Sequence, residues 1–306
     1  MEEYGVRHPK SKLFAFHKLQ HAKGYLGKLP MIEIGDKRII EYQTARLKEN
    51  GSGKSITEEV ALILRLLGDR GEAIRIKLRR NKELKLQVAA TPGKVFSNPD
   101  QDRMLAVALE STMAARRDMA RRRRGEKAPK GERQGGSINI YPCLVLALNA
   151  GMRDAKIRHL TWAQVDFEKR ILTVGKAKTQ AGEGRTIPLN GAVLTALTDH
   201  RQWHLERFGE PQQAWYVFPG GGRTPKDPTV ASTTLKTAWT TVRRDAKVTG
   251  RWHDNRHTLI TELAEGGAGD GTIMEIAGHV SSQMLARYSH IRMEAKRSAL
   301  EDVQAR

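Results

Sequence analysis

From residue 13 to residue 88 the apolar side chains recur three and four positions apart, the spacing that gathers them on one face of a helix. The pattern predicts helices over Leu13 to Leu26, over Asp36 to Glu49 with Asn50-Gly51 as its stop, and over Ser55 to Leu67 with Gly68-Asp69 behind it. In the second of these, Ile39, Ile40, Tyr42, Ala45 and Leu47 recur at helical spacing, with Lys37, Arg38, Arg46 and Lys48 around them. The third opens on Ser55 with Glu58 three residues on, the pattern of a capping box, and carries Val60, Ile63, Leu64 and Leu67 along one side. Ala89-Ala-Thr-Pro-Gly93 breaks the periodicity and is the expected linker. A helical domain is therefore expected over residues 1–90, shortened at its start, and a second domain over 94–306.

The second stretch has a different rhythm. A helix over Pro99 to Arg116 runs into Arg121-Arg122-Arg123-Arg124 and a segment rich in Gly, Lys and Pro, too crowded with like charges and breakers to pack, so an exposed loop is predicted there. Ile138 to Ala150 is an apolar helix stopped by Gly151, with a further helix expected through Trp162. Arg170-Ile-Leu-Thr-Val-Gly and Gly184-Arg-Thr-Ile-Pro-Leu are rich in β-branched residues and flank the polar segment Lys176 to Glu183, which predicts a hairpin. Helical segments follow over Ala192 to Phe208, Thr233 to Lys247, Arg256 to Glu265, Thr272 to Ala277 and Ser282 to His290. A last helix over 291–306 sets Ile291, Ala295, Ala299 and Val303 four residues apart. The fold class is mainly α with a small β-hairpin.

Composition narrows the partners. The 306 residues are 39% apolar, enough for two ordinary cores, and the formal net charge is +19. Charge of that sign and size draws polyanions, nucleic acid before any other, and fits a binder without chemistry as well as an enzyme; Arg38, Arg46 and the run Arg121, Arg122, Arg123, Arg124 are the basic groups expected to hold phosphates. Cys143 is the only cysteine, which excludes disulfides within one chain and cysteine-rich zinc sites. No apolar run reaches the roughly 18 to 20 residues that span a bilayer, and Met1 to Lys12 is polar, so a cytoplasmic, nucleoid-associated protein is expected. Gly51-Ser-Gly-Lys-Ser55 imitates the end of a phosphate-binding loop, but residue 48 is Lys where that motif needs Gly.

The chemistry concentrates late in the chain. His253-Asp-Asn-Arg256-His257, then Gly278-His279, then Tyr288, place phosphate-binding and proton-transferring groups ahead of one phenol. Cleaving a phosphodiester needs a nucleophile, neutralisation of charge growing on the non-bridging oxygens, and a proton for the departing oxygen. Arginine serves the second need without a metal, because its planar fork fits two phosphate oxygens and keeps its charge. Arg153, after the glycine at a helix junction, is a second such group, and no carboxylate cluster suited to magnesium stands out.

The segment Leu148-Asn-Ala-Gly-Met-Arg153-Asp-Ala-Lys-Ile-Arg-His-Leu-Thr-Trp162 resembles the first arginine box of the tyrosine recombinase (phage integrase) family. His253-Asp-Asn-Arg256 is similar to its His-x-x-Arg box, and Gly278-His279 with Tyr288 nine residues on to its closing motif. Lys178-Thr before Arg185-Thr-Ile-Pro-Leu189 is similar to its lysine-bearing hairpin. One such box is weak, but four in this order across residues 148–290 are specific.

The resemblance implies a two-domain DNA clamp, with a helical core-binding domain and a mixed α+β catalytic domain. The function it implies is site-specific integration or excision of a mobile element. Tyr288 would attack the scissile phosphate and form a 3′-phosphotyrosyl bond. Arg153, Arg256 and His279 would hold the non-bridging oxygens, Lys178 would protonate the leaving oxygen, and His253 would accept the tyrosine proton. Lys176 lies two residues from Lys178 and shares its strand face, so it is the alternative acid. No cofactor or metal is implied, and partners would be duplex DNA, further copies in a homo-tetramer joined through the last helix, and an accessory DNA-bending protein. One position departs from the family: three residues after the first arginine stands Lys156 where an acid is usual, with Asp154 the nearest carboxylate. That departure keeps a weakened DNA-binding relative open, beside a type IB topoisomerase-like DNA relaxation activity.

Overall fold

The computed structural model describes residues 6–86, 93–127, 129, 135–175, 184–222, 225–278 and 301. The chain divides into two compact units, Met1–Pro92 and Gly93–Arg306. Among the described residues the fold is mainly helical with one small sheet.

In the first unit, helices α1 (Lys12–Leu26), α2 (Asp36–Lys48), α3 (Gly53–Leu66) and α4 (Gly68–Arg80) share one core built on Ile39, Tyr42, Ile56, Val60, Leu64 and Leu78. The cap of α3 is Ser52, whose hydroxyl accepts from the Ser55 amide at 3.2 Å, and the expected Ser55–Glu58 box is not used. Helix α3 stops at Gly68 as its sequence indicates, but α4 starts on that same residue, so the stop is a corner between helices. Arg46, expected to face DNA, is buried instead. Its Nε and Nη2 donate to Glu59 at 3.1 and 3.3 Å and its Nη1 to Glu49 at 2.5 Å, while the Tyr42 hydroxyl donates to the same Glu59 at 2.7 Å. A buried carboxylate needs a cation and full hydrogen bonding, and Arg46 answers that need. Arg38 is exposed beside Glu41.

The second unit is organised around α6 (Ile140–Asn149), which packs against α5 (Asn98–Arg124), α8 (Gly191–Phe208) and α10 (Asp254–Glu265). Its sequence is apolar all round, so it can be surrounded, and Pro142 falls in the first turn where no helical amide bond is lost. Cys143 is fully buried in this core. The predicted loop at Arg121–Arg124 is helix. Ala114, Ala115 and Met119 keep one face of α5 in the core, and four arginines at its end meet the negative pole of the helix dipole before Gly125 closes it. Arg122, Arg123 and Arg124 are exposed there.

After α6, the expected helix through Trp162 is only α7 (Asp154–Arg158). Residues 162–166 leave it for a capped 3₁₀ turn and a strand, β1 (Val165–Asp166), held by the Trp162 and Ala163 amides bonding to Trp215 and Gln213 carbonyls. The predicted hairpin, β2 (Ile171–Thr173) and β3 (Thr186–Pro188), thus becomes a three-stranded antiparallel sheet in the order β1-β2-β3, with Leu172 paired to both Val165 and Ile187. Two further helices, α9 (Lys236–Asp245) and α11 (Asp270–Ala277), complete the described part. No described helix is long and apolar enough to cross a membrane. The predicted helices over 282–290 and 291–306 lie outside the residues described, apart from residue 301.

Candidate active site

Arg153 stands at the N-cap of α7, exposed, directly after the buried Gly151-Met152. Gly151 has φ +58, and a Cβ there would come within 3.0 Å of the Leu259 side chain on α10, so the turn that presents Arg153 needs a residue without one. Arg256 is buried, 2% exposed, in the first turn of α10. One of its terminal nitrogens donates to the Gly151 carbonyl at 2.7 Å and to the Ala277 carbonyl. A single guanidinium therefore ties together two backbone turns: the one that presents Arg153 and the one that leads into Gly278 and His279.

His253 precedes α10 and keeps an exposed edge, while its ring meets His257 edge-on at 4.9 Å. Desolvation by the surrounding side chains, then the charges of His257, Arg256 and Arg153, push its pKa down to about 4 against the opposing pull of Asp254. Cations this close disfavour another positive charge, so the imidazole is neutral near neutral pH and free to accept a proton. His257 is buried with its ring against Gly93, where a Cβ would stand 2.2 Å from a ring carbon, so it packs the floor of the site. Arg153 and His253 open onto a cavity of about 650 Å³ that Lys236, Trp239, Arg243 and Trp252 also line.

The sheet carries the next group. Beyond β2 and β3 the hairpin arms continue to pair: the Val174 amide donates to the Arg185 carbonyl at 2.8 Å and the Gly184 amide to the Val174 carbonyl at 3.1 Å. Lys156, standing where an acid was expected, donates from Nζ to the Gly175 carbonyl at 2.8 Å and so braces the arm that leads into the lysine-bearing segment. Asp154, the nearest carboxylate in sequence, bonds Arg158 at 2.8 Å, which in turn donates to the Ser232 carbonyl. Arg185, which the sequence reading treated only as part of a strand, has its guanidinium against the backbone of Gly278. The signal was visible as an arginine opening the Thr-Ile-Pro strand, but nothing local says where such a side chain goes.

Of the six residues expected to act, Arg153, His253 and Arg256 come together. Lys178, with its alternative Lys176, and His279 and Tyr288 lie outside the described residues. Among the described residues no group of three or more His, Cys, Asp or Glu could hold a metal ion.

Comparison with known proteins places this geometry. The family model of the phage integrase family matches residues 128–295, more than half of the chain, and the chain belongs to that family. It is 24% identical over 151 residues to the integrase of Salmonella phage P22, covering 47% of this chain and 37% of the relative. It is 28% identical over 163 residues to tyrosine recombinase XerA of Pyrococcus horikoshii, covering 52% of each. The matched regions span about half or less of the length of these curated relatives. Among solved structures, the Tn1549 transposon integrase in complex with a circular-intermediate DNA superposes with a TM-score of 0.66 at 18% identity, covering 98% of this chain and 97% of that one. A lambda integrase dimer bound to a core site gives 0.56 at 15% identity, covering 92% and 88%. At such identities the likeness is one of fold.

Proposed function

We propose that the chain is a tyrosine-type site-specific DNA recombinase that integrates or excises a mobile element through a 3′-phosphotyrosyl intermediate. The observation that carries this reading is the buried Arg256 joining the turns of Arg153 and Gly278, with a neutral His253 beside them.

In the cleavage step the Tyr288 phenol attacks the scissile phosphorus. A phenol with a pKa near 10 needs its proton taken near neutral pH, and His253 accepts it. The bond from phosphorus to the 5′ oxygen breaks, and Lys178 supplies that oxygen with a proton. Arg153, Arg256 and His279 hold the non-bridging oxygens, most strongly as the pentacovalent charge develops. The phosphotyrosyl bond keeps the energy of the broken linkage, so the reverse step, with a 5′-hydroxyl of a partner strand as nucleophile, needs no further energy source.

Duplex DNA is the substrate, and its phosphates meet a chain of charge +19, with Arg38 and the exposed end of α5 at Arg122, Arg123 and Arg124 adding sequence-independent contacts. Assembly as a homo-tetramer on DNA through the last helix completes the reading; a lambda integrase tetramer bound to a Holliday junction is among the structures of this fold. The integrase and recombinase names of the relatives favour strand exchange over relaxation by a type IB topoisomerase.

The test is covalent trapping. Incubated in EDTA with nicked suicide duplexes carrying the element's end sequences, the chain should form an adduct of shifted mobility, and Tyr288→Phe should form none. An adduct that survives in Tyr288→Phe removes the nucleophile from the reading.

A further inference from the structure

Arg185 is half-buried, and its Nε is shielded from solvent without a hydrogen-bond partner. Among the described residues no carboxylate pairs with it. Other withdrawn arginines have acceptors: the buried Arg46 is held by Glu59, and of the half-buried ones Arg116 is held by both oxygens of Asp199, Arg158 by Asp154, and Arg207 and Arg243 by main-chain carbonyls. Withdrawing a guanidinium from water without an anion is costly, and a second cation nearby adds to the cost. Burial and the like charge of Arg153 pull Arg185 down to about 10.

Position adds a second argument. Gly278 has φ +72 and ψ −159, a conformation open to glycine almost alone, and a Cβ there would stand 2.0 Å from the Arg185 Nη1. The glycine before His279 thus makes room for this side chain. Arg185 is pressed against the same turn that Arg256 holds through Ala277, and Arg153 is near enough for its charge to be felt.

We propose that Arg185 is a further phosphate-binding residue of the cleavage site, donating to a non-bridging oxygen of the phosphodiester that Arg153 and Arg256 also hold. The assignment rests on the DNA-cleaving function proposed above. Without DNA, no carboxylate among the described residues balances Arg185. With DNA bound, the phosphate supplies an acceptor, and the strand end that bears Arg185 is tied to that phosphate.

The experiment compares wild type, Arg185→Ala and Arg185→Lys on suicide duplexes with an ordinary scissile phosphate, and on duplexes in which that phosphate or one neighbour is an uncharged methylphosphonate. Formation of the covalent adduct is timed under single turnover. Arg185→Ala should slow the reaction about 10²-fold on the ordinary substrate. That penalty should largely vanish where the scissile position is methylphosphonate and persist where only a neighbour is, and Arg185→Lys, which keeps stem and charge, should recover part of the rate. A penalty equal at every position, or the same in both variants and accompanied by a lowered Tm, makes Arg185 a packing residue and overturns the assignment alone. Absence of adduct from the wild-type chain on any of these duplexes removes the proposed function, and Arg185's role with it.

Discussion

Two buried arginines, one in each unit, show how the same side chain serves different ends. Arg46 lies in the amino-terminal unit with its fork on Glu59 and Glu49, and Tyr42 completes the acceptors of Glu59, so the charges cancel inside the protein. Arg256, equally buried in the second unit, aims a nitrogen at two main-chain carbonyls, and around it gather Arg153, Arg185 and two histidines. In the first case a carboxylate within the fold neutralises the guanidinium and the result is a rigid joint between α2 and α3. In the second, burial and then the neighbouring cations depress His253 and Arg185, and an anionic ligand relieves that excess of positive charge. Burial does not mark an arginine as functional; the sign of its neighbours does.

The largest effect should come from Arg256. Arg256→Ala removes a phosphate ligand and strands the Gly151 and Ala277 carbonyls. Adduct formation should fall by about 10²- to 10³-fold or more, and urea unfolding should show a loss of about 1–3 kcal/mol. Arg256→Lys, lacking the fork, should recover stability better than rate. If it restores the full rate, the bidentate role is wrong.

Next in size is the opposite arginine, approached through its partner. Glu59→Gln leaves Arg46 buried with half its compensation and should destabilise the chain by about 3–5 kcal/mol, read from denaturant midpoints. The rate of adduct formation per bound complex should not change. A rate loss without a stability loss would mean that Arg46 reaches DNA after all.

The smallest is a pH effect. His200 and His204, on α8, are pushed down to about 3 and about 4, in both cases chiefly by burial, while each ring bonds a main-chain carbonyl. Their folded pKa values lie below the unfolded value, so the unfolded chain takes up more protons as pH falls below about 6.5. Stability is then full above that pH and is lost progressively as pH falls towards 4 and 3. Tm measured from pH 7 to pH 4 should drop, and His200→Leu should flatten the slope. A slope unchanged in that variant would assign the acid sensitivity to other groups.

Helix α4 was hidden behind Gly68-Asp69, which reads as a stop, whereas α1, α2, α3 and α6 were legible because their apolar period is a local property. The end of α5 was not, since four adjacent arginines look like loop until Ala114, Ala115 and Met119 are seen in the core. Strand β1 was missed because two residues carry no period of their own; they pair only when Leu172 stands opposite Val165. Arg46 was misjudged because its acid, Glu59, sits thirteen positions away on another helix, beyond any local pattern.

The motifs around Arg153, Lys178, His253, Arg256, His279 and Tyr288 determined the family by themselves, since order and spacing are written in the chain and a family match over residues 128–295 follows from them. Tertiary structure alone decided what each charge is for. It buried Arg46 against an acid, set Lys156 on the Gly175 carbonyl, and placed Arg185 over Gly278. Whether a guanidinium is neutralised within the fold or left to an outside anion depends on groups brought close from distant parts of the chain, and a linear sequence does not contain those distances.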